Sequence, residues 1–251
     1  MYRVMNASAV TEIVIMAAML SVPFYILWTY VVSGGSAKKG AVIGTVLAGW
    51  GAVMTWFCLA EVAPSMGPLG RLVIPVCWAV PTVILLTYRN WFLDQPLSQK
   101  WLVGLQVWRA IGGVFLIEMA RGNLPGIFAI PAGVGDLAVA VLAVGVLVAY
   151  RGMPVVGSTA VVAVIALGFA DFVSAFFFGF TSSDGPQQLF HPAIPNQTLL
   201  YPTGLIPLFL VPCAIFFHVL SLLELLRSKR VNAGMLPRVP RGGAVNATLS
   251  A

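Results

Sequence analysis

The sequence predicts an all-α polytopic membrane protein, a bundle of seven transmembrane helices. Two observations carry that prediction. Hydrophobic residues make up 59% of the chain and charged residues only 9%, whereas soluble domains are about a quarter charged. The apolar residues also gather into runs of roughly 20, the length a helix needs to cross a hydrocarbon core about 30 Å thick. A transmembrane β-barrel would show ~10-residue segments of alternating polarity, and the sequence has none.

The seven runs, bounded by charges or by Pro and Gly clusters, are 10–33, 40–62, 69–88, 101–120, 131–150, 155–180 and 202–226. The first carries Glu12 and no basic leader, which reads as a retained span and not as a signal peptide. The second holds Gly40, Gly44, Ala48 and Ala52 at helical spacing, a stripe that lets two backbones approach closely. The third ends at Tyr88, where Trp91 and Trp101 mark a headgroup level. The fourth contains Arg109 and Glu118 with the pair Gly112 and Gly113, and the fifth starts at Pro131 and carries Gly133, Gly135 and Asp136. Asp171 lies in the sixth. The seventh carries Pro202, Pro207 and Pro212, of which the last two remove backbone hydrogen bonds and kink the span. Residues 1–226 thus read as one transmembrane domain, and 227–251 as a basic, disordered tail.

Basic residues decide the orientation. Lys38, Lys39, Arg89, Lys100, Arg151, Arg227, Lys229, Arg230, Arg238 and Arg241 fall on one side, against Arg3, Arg71 and Arg121 on the other. The positive-inside rule then puts the C-terminus in the cytoplasm and the N-terminus outside. The net charge of +6 is spread over short loops and the tail, so it points to membrane orientation and to no nucleic-acid partner. The cytoplasmic links are short connectors. The outer ones are rich in Pro and Gly, and the last, TSSDGPQQLFHPAIPNQTLLYP, is the longest. Sequons at Asn6 and Asn196 fall on the outer side, and Cys58, Cys77 and Cys213 sit in apolar segments as small packing residues.

A charge at the bilayer centre costs roughly 2.5–3.5 kcal/mol on insertion scales and is retained only with a partner. Heights counted at about 1.5 Å per residue place Asp136 and Asp171 in the outer third, facing each other across an antiparallel hairpin. Two close carboxylates share a proton or hold a cation between them. The same count places Arg109 and His218 in an inner layer, with Gln106 and Gly113 on the face of Arg109. Arg109 therefore needs another helix, a wet cavity or an anion. Glu118 pairs with Arg121 as a snorkelling interfacial ion pair, His218 is a hydrogen-bonded packing residue, and His191 is a loop residue.

Several chemistries find no support. No Gly-x-Ser-x-Gly elbow, His-Glu-x-x-His helix or phosphate loop occurs. The seventh run has no lysine for a retinal Schiff base, and the two histidines belong near opposite faces, which disfavours haem. Neither a metal set nor a cofactor is expected.

The passage QVWRAIGGVFLIEMARGNLPGIFAIPAGVGDL, residues 106–137, resembles segments of uncharacterised bacterial multi-pass membrane proteins. That resemblance implies a bacterial inner (plasma) membrane and carries no activity with it.

The expected function is binding or passage of a small solute, a cation or protons through an acidic pocket in the outer half. Asp136 and Asp171 are its ligands, with Arg109 as counter-ion and Gln106 beside it. Glu118, His218 and His191 are secondary candidates. A membrane enzyme acting on a lipid or apolar substrate is the first alternative, and a partner or assembly protein whose buried charges fix helix register is the second.

Overall fold

The computed structural model describes residues 7–153 and 156–233. Among them seven helices are long and apolar enough to cross a membrane: Ala9–Val32, Ala37–Leu59, Gly67–Thr87, Gln99–Ala120, Gly126–Ala149, Ser158–Thr181 and Ile206–Val231. An odd number of crossings puts the two ends of the bundle's chain on opposite faces, the N-terminal and the C-terminal face. No strand occurs among the described residues. Arg3, Asn6, Arg238 and Arg241 lie outside the described residues, as does the tail beyond Ala233.

Spans one and two form a tight hairpin, and its closeness follows from glycine. A Cβ at Gly40 would lie 3.0 Å from Leu27 Cα, and one at Gly44 would lie 2.8 Å from the Pro23 carbonyl oxygen. The small-residue stripe does not continue as expected, because Ala48 and Ala52 are exposed. The inward face passes instead to Gly51, which meets Met19 and Phe209.

Span seven is the axis of the bundle: 72% of its most apolar window is buried, against 17% for span three and 22% for span two. Phe209, Phe217, Leu208 and Leu220 on this span are fully buried, together with Ile15, Ile26 and Tyr30 of span one. Spans four and six pack against it, and span five packs against both of them.

Span five begins earlier than expected. Pro125 caps a helix that starts at Gly126 and takes Pro131 into its interior. The sequence places the start of the span at Pro131, whereas that proline sits in the second turn, where its missing N–H leaves only the Ile127 carbonyl without its i+4 donor. The seventh helix also runs past the expected end at 226, to Asn232. Span four stops at Arg121, where Gly122 takes φ of 77° and the Asn123 amide bonds the Glu118 carbonyl at 2.9 Å. This is the six-to-one closure of a helix C-terminus that favours glycine at the left-handed position.

Three spans depart from α geometry: Gly67–Leu72 opens span three as 3-10 helix, and the other two departures lie beside the buried charges. Leu105–Gly112 is 3-10 helix within span four. Ile206–Leu210 opens span seven as a π-helical turn. Proline explains much of the last, since Pro212 has no N–H for the Leu208 carbonyl. Trp50 Nε1 donates to that carbonyl at 3.2 Å. The Val211 amide reaches back to the Ile206 carbonyl, and Trp78 Nε1 donates to the Pro207 carbonyl at 2.8 Å.

Candidate functional site

In a 3-10 helix the repeat is three residues, so side chains at i, i+3 and i+6 eclipse along one edge. Within Leu105–Gly112 that edge is Gln106, Arg109 and Gly112, and all three are buried. A Cβ at Gly112 would lie 2.1 Å from Asp136 Oδ2, so only glycine leaves room there for the carboxylate of span five.

Arg109 reaches two helices at once. Its Nε donates to Asp136 Oδ1 at 2.6 Å, its Nη2 donates to Asp171 Oδ2, and its Nη1 donates to the Gly168 carbonyl at 3.2 Å. The guanidinium also lies 3.9 Å from the centre of the Phe172 ring, a cation–π contact. The charges are all buried, at 6% exposure for Arg109, 8% for Asp136 and 7% for Asp171.

The expected separation into an outer and an inner layer is therefore corrected. Arg109, Asp136 and Asp171 each lie near the midpoint of their spans and form one cluster. The counting went wrong for two physical reasons. It started span five at Pro131, and it assumed a uniform rise where 3-10 helix climbs about 2.0 Å per residue. The two aspartates do not face each other across an acidic pocket in the outer half. A guanidinium stands between them.

His218 joins the cluster from span seven. A Cβ at Gly168 would lie 2.2 Å from His218 Nε2 and 3.0 Å from Arg109 Nη1, so these two nitrogens are neighbours over a glycine. The imidazole sits against Phe169 and Phe172 at ring separations of 5.6 and 6.0 Å. Its Nε2 has no hydrogen-bond partner among the described residues, which corrects the expectation of a hydrogen-bonded packing histidine. Gln106 shows the same condition at both its amide atoms, and Asp171 at Oδ1.

Glu118 is not a snorkelling residue. It is fully buried and accepts from the Ser8 amide at 3.0 Å, Thr11 Oγ1 at 2.5 Å and Asn123 Nδ2 at 2.6 Å. The expected ion pair with Arg121 at i+3 is present, at 3.8 Å, but the shorter contacts are these hydrogen bonds. The carboxylate thus ties the start of span one to the end of span four. His191 is exposed in the last loop and stands apart from the cluster. Asn196, expected as a sequon, is buried at 7% exposure. Its amide donates to the Gly179 carbonyl and to Ser182 Oγ, and its oxygen accepts from the Thr198 amide. A glycan cannot be attached to that side chain in the folded protein. In the same loop Tyr201 donates to Glu12 at 2.8 Å, and burial together with that carboxylate pushes the phenol up to about 12.

Cavities flank the cluster. One of about 60 Å³ touches Asp136, Asp171, Phe128 and Asn196, and one of about 40 Å³ lies between Arg109, Asp136, Trp108 and Cys213. A water needs about 10–15 Å³ of such space, so each has room for a few waters, while organic ligands take several hundred Å³. At the N-terminal face a vestibule of about 350 Å³ opens between Pro68, Asp184 and Gln197. Arg71, Asn196 and Leu199 line both the vestibule and the 60 Å³ cavity, so the two adjoin. Among the described residues no group of three or more His, Cys, Asp or Glu is placed to hold a metal ion.

The sequence reading missed Gly168, Phe172 and the Thr11–Glu118 bond. A signal for the first was present, since each charge of the cluster has a glycine within three residues: Gly112 for Arg109, Gly135 for Asp136 and Gly168 for Asp171.

No curated protein and no solved structure matches the chain. A family described as a domain of unknown function, DUF8737, matches residues 66–226. That stretch takes in spans three to seven, with the whole cluster and residues 106–137, and leaves out the first hairpin. The chain belongs to this DUF8737 family of unknown function.

Proposed function

We propose that the chain binds and passes a proton, or a small monovalent cation, at the Arg109–Asp136–Asp171 cluster. One observation carries this reading. Two carboxylates share one guanidinium in the middle of the spans, so the ionised cluster is one positive charge short. An unbalanced charge in hydrocarbon is costly, and a proton or a cation completes it. Asp171 Oδ1, which has no hydrogen-bond partner among the described residues, is the atom that takes it. The 60 Å³ cavity beside Asp136 and Asp171 is of water size and adjoins the vestibule, where Arg71 and Asp184 give the mouth both signs of charge. Small volume near the cluster argues against an organic solute in this conformation.

The distribution of basic residues supports a cytoplasmic C-terminus and hence a vestibule that opens outward. The resemblance of residues 106–137 to bacterial multi-pass proteins supports a plasma-membrane location. A packing role has one observation of its own, the direct bonding of all three charged groups to one another.

Purified protein in liposomes with an internal pH dye, challenged with a pH step and then with Na⁺ or K⁺ gradients, separates the two. Under the proposed reading Asp171→Asn remains monodisperse and loses at least tenfold in flux. A wild type that moves neither protons nor these cations, with an Asp171→Asn variant that aggregates, assigns the cluster to packing.

A further inference from the structure

Beyond the cluster, on the side away from the vestibule, buried polar groups continue toward the C-terminal face. On span seven His218, Ser221 and Glu224 follow one another at intervals of three, which keeps them on one side of the helix. All are buried, at 1%, 3% and 3% exposure. On span four Gln99, Gln106 and Arg109 form the facing edge. The two edges are joined where Gln99 Nε2 donates to the Ser221 carbonyl at 2.8 Å and Ser221 Oγ donates to Gln99 Oε1 at 2.6 Å.

The buried polar atoms without a partner among the described residues follow this line. They are Asp171 Oδ1, His218 Nε2, both amide atoms of Gln106, Glu224 Oε2 and, in the link before span four, Gln95 Oε1. Glu224 Oε2 is 3.8 Å from Arg227 Nη1, too far for a hydrogen bond. A buried polar atom left alone costs about 1–3 kcal/mol. Native structures satisfy nearly all such atoms, with water where protein does not reach. Apolar side chains bound the line on both sides, with Leu102, Phe217 and Leu220 in one cluster and Val103, Ile165 and Leu225 in another. The polar atoms therefore occupy a seam between two apolar clusters, which starts at Asp171 near mid-span and runs toward the C-terminal face.

We infer that this seam is a hydrated file that carries protons between the cluster and the C-terminal face, with Glu224 as its terminal acceptor. The inference rests on the proton reading of the cluster and supplies the half of the path that the cavities and vestibule do not. Each hop breaks one O–H or N–H bond and forms another. A proton accepted at Asp171 is balanced by one released at Glu224, and nothing is oxidised or consumed. Gln106 does not titrate, so its role is to orient water with one donor end and one acceptor end.

Two measurements test the seam. In the liposome assay Gln106→Leu and Glu224→Gln are each expected to lower proton flux at least tenfold, while Gln106→Asn, which keeps both amide functions, retains most of it. Separately, Ag⁺, a bare monatomic cation, should consume one more thiol in Ser221→Cys than in wild type, and no extra thiol in Leu220→Cys on the dry face. Wild-type flux in Gln106→Leu and Glu224→Gln, alongside a dead Asp171→Asn, overturns the seam and leaves the cluster standing. An unreactive Ser221→Cys overturns it as well, because the file is then dry. If the wild type moves no protons, the reading of the cluster fails and the conducting role of the seam fails with it, even where Ser221→Cys reacts.

Discussion

A glycine within three residues of Arg109, Asp136 and Asp171 is the residue-scale device on which the cluster depends. A Cβ at Gly135 would lie 1.6 Å from Asp171 Oδ1 and 2.6 Å from its Cγ, so the carboxylate cannot stay where it is. Gly135→Ala must therefore displace the Asp171 carboxylate from Arg109. Overpacking of this kind costs about 1–3 kcal/mol, and separating one partner from a buried ion pair adds to it. Gly145→Ala on the same helix meets nothing within 4 Å and gains helix propensity of about 1 kcal/mol. Thermal unfolding in detergent should show the first variant clearly destabilised and the second equal to or above wild type; equal midpoints for both would remove the steric account. At this scale the charges themselves were legible, because Arg109, Asp136 and Asp171 each interrupt an apolar run. Their meeting was not, since a five-residue error in where span five begins moves Asp136 by about 7.5 Å, comparable to the reach of an arginine side chain.

Individual spans were legible to within a few residues wherever composition changes sharply, as at Ser33 and Ala120. Departures from α geometry inside them were not. Proline in span seven announced a kink, but the outcome depends on donors that come from elsewhere in the chain, Trp50 of span two and Trp78 of span three. These indoles do for Leu208 and Pro207 what a backbone amide does in an ordinary helix. In hydrocarbon an unpaired carbonyl has no water to turn to. Trp50→Phe and Trp78→Phe keep the aromatic area and remove only the donor, so each is expected to cost about 1–3 kcal/mol. Because the two carbonyls are adjacent, the double variant should depart from additivity. Unchanged midpoints in both single variants would mean that the turn holds its carbonyls without the indoles.

At the scale of the whole molecule, the helix count and the opposite placement of the two ends were legible from composition, while which face looks outward rests on charge alone. Lys38 and Lys100 lie in the first turns of spans two and four and Arg89 and Arg151 in links, all at the C-terminal face, and Arg227, Lys229 and Arg230 in the last turns of span seven. The N-terminal face holds Arg71 and Arg121 among the described residues. Such an imbalance over short loops orients a membrane protein with the basic face inside. Lys39 adds less to that count than its position suggests, because it is buried, donates to the Trp91 carbonyl at 2.6 Å and pairs with Asp94. Removing it from the count does not change the side that wins. Ser65 is exposed on one face and Arg151 on the other, and the native Cys58, Cys77 and Cys213 are buried. A membrane-impermeant maleimide should then label Ser65→Cys in intact cells, and Arg151→Cys only after the membrane is opened. The reverse pattern would turn the vestibule toward the cytoplasm. The cluster would still be one positive charge short, but any proton it takes through the vestibule would come from inside the cell.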